Sequence, residues 1–208
     1  RGVGAHADER LVLTEMQEIA KALRQFKQDT GYYPREGPFA LGATSNQEVT
    51  DADLATVAHS GSTAAVRARW FNSPANFYQL LVGPLLSGHV QNLETWNAET
   101  GRGWRGPYLR GFADGRVDIG DDINASVDGI DGDPLTGNSI SNVDGIADPF
   151  EYRPAGGLLD WTGVDAGEPW GRPYLFLQNA AGRWVLISMG PDGEYDQGGG
   201  DDIVLPIE

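Results

Sequence analysis

The chain has no cysteine. That excludes a disulfide framework and any thiolate-bound metal, although it leaves the compartment open. No run of about 18 apolar residues occurs, so no segment of this sequence spans a bilayer as a helix. Basic residues are scarce, 15 against 30 acidic ones, for a net charge of -15. Such a balance argues against nucleic-acid binding, which depends on phosphate neutralisation by lysine and arginine. It argues equally against adsorption to anionic lipid. The scarcity is also local. No lysine, arginine or histidine lies between Arg116 and Arg153, and no lysine or arginine follows Arg183. There are three histidines, His6, His59 and His89, none with a partner at metal-ligand spacing, so each is expected at the surface. Catalytic signatures are missing too. Ser60, Ser62 and Ser188 lack the G-x-S-x-G elbow, and no glycine-rich phosphate loop sits on a strand-to-helix turn. Paired carboxylates for glycoside hydrolysis need a cleft, of which the sequence gives no sign. The chain is expected not to be an enzyme.

What remains is enough for one domain with a real core: 208 residues, 40% hydrophobic and 10% aromatic. Residues 7 to 29 read as one long helix. Val12, Met16, Ile19, Leu23 and Phe26 step by four and three onto one stripe, with no Gly or Pro between. Asp8 and Glu9 suit its N-terminal dipole end; Lys21, Arg24 and Lys27 suit the other. Gly31 and Pro34 stop it. Residues 37 to 48 look loop-like. Thr50 can cap a short helix over 51 to 58. Ser73-Pro74 reads as the start of another, with Phe77, Leu80, Leu81 and Leu85 on its apolar face and Gly83-Pro84 at its end. Pro173 to Leu177 leads into a strand, Asn179 to Gly182 is a hairpin connection, and Arg183 to Ser188 is the returning strand.

The last strand stops at Gly190-Pro191-Asp192-Gly193, a turn signal. Asp192, Asp196, Asp201 and Asp202 then fall within eleven residues, separated by glycines. Clustered carboxylates on a short loop repel one another, so the loop is either solvated or closed on a hard cation. Calcium takes six to eight oxygens, carboxylate and carbonyl, in forgiving geometry. The apolar exit Ile203-Val204-Leu205 favours a loop tied down at both ends.

The acidic middle, 114 to 160, holds a weak repeat. Val127-Asp128-Gly129-Ile130 recurs as Val143-Asp144-Gly145-Ile146, sixteen residues on. Neither copy has the twelve-residue EF-hand spacing. Asp128, Asp131, Asp133, Asp144 and Asp148 form a candidate second calcium site there. The alternative is a long solvated insertion with turns.

Several motifs occur in a telling order: Thr30-Gly31-Tyr32-Tyr33-Pro34 after the long helix, Trp104-Arg105-Gly106-Pro107-Tyr108-Leu109, Pro169-Trp170-Gly171-Arg172-Pro173-Tyr174, Ser188-Met189-Gly190-Pro191-Asp192-Gly193 and Asp201-Asp202-Ile203. This series resembles the major pseudopilins of the type II secretion system, over residues 7–36, 73–112 and 168–204. The resemblance implies an α+β fold of the type IV pilin kind: a single domain with a helical spine over 7–30, a small antiparallel sheet, and a C-terminal hairpin and Asp-rich loop over 168–208. It implies calcium in that loop, held by the side chains of Asp192, Asp201 and Asp202 and the carbonyl of Met189; Asp196 is added by spacing. It also implies that a hydrophobic first half of the spine, with the prepilin peptidase site, precedes Arg1 and anchors the protein in the inner membrane of a Gram-negative bacterium. The partners implied are further copies of itself in a periplasmic filament, other pseudopilins and the inner-membrane secretion platform. Two departures stand out. The acidic middle is far longer than the family's link, and Glu168 replaces the common aspartate before Pro-Trp-Gly. Large insertions with calcium loops also suit a minor pseudopilin at the filament tip. A free calcium-stabilised extracellular binding module, with an adhesive or carbohydrate-binding face, is the alternative outside the family.

Overall fold

The structure is a computed structural model that describes residues 3–43, 47–57, 61–86, 88–89, 91–110, 114–119, 140–150, 159–161, 172–193 and 195–207. It is of the α+β class, with a long N-terminal helix and small antiparallel sheets. The chain divides into two compact units. The first comprises Arg1–Ala20, Ser73–Asn76 and Ala113–Glu208; the second comprises Lys21–Asn72 and Phe77–Phe112. No helix among the described residues is long and apolar enough to cross a membrane.

Helix α1 runs over Val3–Thr30. The stripe expected from its 3.6-residue period is the buried one: Val12, Met16, Ile19, Leu23 and Phe26 are all fully buried. Each such side chain contributes roughly 1.5–3 kcal/mol by leaving water. The helix ends where Gly31 takes φ 92° and its N–H donates to Lys27 O at 2.7 Å.

In the first unit, β4 (Leu175–Gln178), β5 (Trp184–Ser188) and β6 (Ile203–Pro206) form an antiparallel meander in the order β4-β5-β6. Strand β5 is central, and all five of its residues are buried. A strand covered on both faces reads as a continuous apolar run, as Trp184-Val185-Leu186-Ile187 does. Strand β6, at the edge, alternates in exposure. Phe176 and Trp184 stack diagonally across β4 and β5, with ring centroids 4.5 Å apart. Tyr174 Oη donates to Glu15 Oε2 at 2.7 Å, linking the entry to β4 with the first half of α1.

The acidic insertion is not loop-rich throughout. It contributes a second antiparallel sheet of order β2-β1-β3, made of β1 (Asp114–Ile119), β2 (Ile140–Ile146) and β3 (Leu159–Trp161). The second copy of the repeat, Val143 to Ile146, therefore lies in a strand, where Asp144 pairs with Arg116 in the β1–β2 register. The first copy, Val127 to Ile130, is outside the described residues.

The second unit holds a 3-10 turn at Gly37–Phe39 and the helices α2 (Asp51–Val57), α3 (Ala64–Asn72) and α4 (Tyr78–Leu81). Thr50 caps α2 reciprocally with Asp53: Thr50 N donates to Asp53 Oδ2 at 2.7 Å, and Asp53 N to Thr50 Oγ1 at 3.4 Å. Phe26 meets Phe39 and Tyr108 edge to face, at 4.9 and 5.5 Å.

Two expectations fail in instructive ways. Ser73 and Pro74 do not open a helix. Residues 73 to 76 form a buried turn in which Asn76 N donates to Ser73 O. Pro74 O accepts from Phe176 N at 2.8 Å, so pairing to β4 overrides the local helix signal. Helix begins only at Tyr78, for four residues. Nor is His89 at the surface. It is 5% exposed, with Nε2 3.2 Å from Asp53 Oδ2.

Candidate metal site

Strand β5 delivers the chain to Met189, whose side chain is fully buried, and then to Gly190. Gly190 has φ 67°, and a Cβ there would stand 2.2 Å from Asp201 O. Only glycine permits both the left-handed turn and this close approach of the loop's two ends. Gly193 N donates to Gly190 O at 3.3 Å, closing the turn expected at Gly190 to Gly193.

The loop then folds around its own carboxylates. Asp202 Oδ2 accepts from Asp196 N at 3.0 Å and Gly198 N at 2.8 Å. Asp201 Oδ2 accepts from Asp192 N at 3.2 Å. Two further turns, Gly199 N to Asp196 O and Asp202 N to Gly199 O, both at 3.0 Å, complete the closure.

This closure brings Asp192, Asp196 and Asp201 together. One carboxylate oxygen from each lies within 4.8 Å of the others. Oxygens bound at 2.3–2.6 Å to a common centre lie no more than about 5 Å apart, so the spacing suits a hard cation. Asp202 stands beside the three rather than among them, its Oδ2 being taken by backbone amides. Its Oδ1 and that of Asp201 are shielded from solvent and have no hydrogen-bond partner. Unpartnered carboxylate oxygens of this kind are costly to leave so.

The electrostatics point the same way. Asp202 is pushed up to about 6, first by burial, with the charges of Asp196 and Asp201 adding and the two amide donors opposing. Asp201 is also held above the ordinary carboxylate range, by burial first and then by its hydrogen bond and charge contact with Asp192. Two carboxylates in hydrogen-bonding contact need a proton or a cation between them. The exposed triad of Asp192, Asp196 and Asp201 can hold a metal ion.

The other candidate ligands are dispersed or undescribed. Asp128, Asp131 and Asp133 fall outside the described residues. Asp144 lies in β2. Asp148 is 3% exposed and accepts from Ser188 Oγ at 2.7 Å and Phe150 N at 3.2 Å. Neither Asp144 nor Asp148 belongs to a ligand-spaced acidic group among the described residues. The pairing of Asp148 with Ser188 is a feature that sequence reasoning missed. The available signal was a serine at the end of an otherwise apolar strand, which must find a partner once buried. Ser188 Oγ also lies 3.4 Å from Gly190 N, at the root of the acidic loop.

No protein-family profile, curated protein or solved structure matches this chain.

Proposed function

We propose that the chain is the periplasmic part of a pilin-like filament subunit, the major pseudopilin of a type II secretion system, and that calcium holds its C-terminal loop. It is a structural protein, not a catalyst. The observation that carries this reading is the loop itself. Carboxylates that the resemblance assigns to calcium, Asp192 and Asp201, converge with Asp196 at one point on the β5–β6 connection. Calcium fits better than magnesium. The site offers carboxylates of uneven burial with backbone carbonyls nearby, a donor set that suits calcium's forgiving coordination better than magnesium's strict octahedron.

The 28-residue α1 and the β4-β5-β6 meander support the same reading, as a spine and its small sheet. Copies associate through heterologous contacts that do not close into a ring, which is how a fibre grows. Calcium keeps the loop surface in one shape for those contacts. The partners are further copies of the chain, other pseudopilins and the inner-membrane secretion platform.

The residues encoded before Arg1 test the filament reading. A short basic leader, then Gly-Phe-Thr-Leu-x-Glu and about 20 apolar residues, is the expected finding. A conventional cleavable signal peptide joined directly to Arg1 would overturn it.

A further inference from the structure

A partly open pocket of about 300 Å³ lies in the second unit, lined from one side by Tyr32 and from the other by the loop from Gln91 to Arg102. Its wall is built, not incidental. Asn97 N donates to Arg102 O at 2.8 Å, while Asn97 Oδ1 accepts from Glu99 N at 2.8 Å and Thr100 N at 3.3 Å. This tight turn fixes the backbone of Arg102. Its side chain is fixed in turn, with Nη2 donating to Thr30 O at 3.0 Å. The guanidinium occupies the space that a side chain at position 31 would need, since a Cβ on Gly31 would fall 1.9 Å from Nη2.

The chemistry of the lining is unusual for this chain. Although the chain is acid-rich, no acidic residue among the described residues lines the pocket. Asn92 and Gln91 bring amides, Thr100 a hydroxyl and Tyr32 a half-buried ring with its own hydroxyl; Leu93 is the one apolar side chain. A metal cation finds no carboxylate here and meets a guanidinium. An apolar ligand would leave these polar groups unsatisfied. An anion gains little. Arg102 already caps the C-terminal, negative end of α1, and the protein as a whole carries -15. What the pocket offers is a set of polar donors and acceptors, those of Asn97 and Arg102 held in place, around one aromatic ring, at the small end of the usual volume for ligand sites.

We propose that this pocket binds a neutral sugar, with hydroxyls meeting Gln91, Asn92, Thr100 and Arg102 and the C–H face of the ring against Tyr32. The proposal is independent of the filament reading and of the acidic loop. Amide NMR shifts of the whole chain during titration with glucose, galactose, mannose and N-acetylglucosamine test it, with sodium glucuronate and sodium acetate at matched ionic strength beside them. Saturable shifts confined to residues 31–32 and 91–102, with at least one neutral sugar, are expected. Arg102→Gln should weaken that binding at least tenfold. Should Arg102→Gln unfold the end of α1, Gln91→Ala, at an exposed position, is expected to weaken binding several-fold in a folded protein. No saturable shift at these residues with any neutral sugar would overturn the proposal. So would tighter binding of glucuronate or acetate than of every neutral sugar, or unchanged binding in a folded variant.

Discussion

Ser188 Oγ donates to Asp148 Oδ2 at 2.7 Å, and both residues are buried. Strand β5 thus holds a carboxyl from the segment after β2 against the root of the acidic loop. Burial pushes Asp148 up to about 7, against the opposing donors Ser188 Oγ and the amides of Phe150 and Arg172. A carboxyl raised in the folded state binds a proton there that the unfolded chain has already lost. Its contribution to stability is therefore full below about pH 4 and is lost as pH rises to about 7. Asp148→Asn keeps an acceptor for Ser188 but carries no charge. Relative to wild type, the variant should gain stability from pH 5 to pH 8, on the order of a few kcal/mol. Denaturant melts of both proteins across that range check this; parallel curves would refute the buried titration.

The acidic triad predicts two effects of opposite sign at one position. Calcium at about a hundred times Kd should stabilise the wild type by about 2.7 kcal/mol. For a chain of this length that raises Tm by roughly 5–10 °C, reversibly with chelator. Asp201→Asn should abolish most of that rise. Without calcium, however, the same change removes a carboxylate pressed against Asp192, so the variant should melt at or above the wild-type temperature. Differential scanning calorimetry with calcium and with chelator measures both. A variant that is weaker without calcium would mean that Asp201 serves the loop only through its bond to Asp192 N.

Protons and calcium compete for this loop. Asp202 at about 6 and Asp201, also raised, must lose their protons before the loop reaches full negative charge. Calcium affinity should be complete at pH 7.5 and fall as pH drops below about 6, with protons released on binding near the midpoint. Isothermal titration in two buffers of different ionisation enthalpy reads the released protons directly. Affinity independent of pH between 5 and 7.5 would contradict the assignment.

The sequence disclosed the elements whose burial follows a simple period. Val12 to Phe26 steps along one helical face, and Trp184 to Ile187 is apolar because both faces of β5 are buried. Charge density on the last loop picks out Asp192, Asp196, Asp201 and Asp202 together. Three things depended on long-range structure and were not legible. Helix α3 buries two adjacent side chains, Trp70 and Phe71, and sets Arg67 and Arg69 among small residues, with Arg67 absorbed by pairing with Asp51 of α2, so no apolar stripe at helical spacing announces it. The strands of the insertion are rich in aspartate and glycine, which local propensity assigns to loops. That loop closure gives Asp202 Oδ2 to the amides of Asp196 and Gly198, while its Oδ1 is left without a partner, was not readable from the spacing of the aspartates.

Gly190 offers the sharpest separation between the loop and the sheet beneath it. A methyl group at this position would meet Asp201 O at 2.2 Å on a backbone with φ 67°. Both the clash and the left-handed strain act on the loop's closure, and together they should cost about 1–3 kcal/mol. Strand β5 ends at Ser188, and its bonds to β4 and β6 do not involve Gly190. Gly190→Ala should therefore keep the meander and lose the approach of Asp201 to Asp192. Amide hydrogen exchange should rise at 192–202 and stay slow at 184–188, while calcium affinity falls at least tenfold. Unchanged exchange and affinity would show that the two ends of the loop need not meet at Gly190 for the carboxylates to gather.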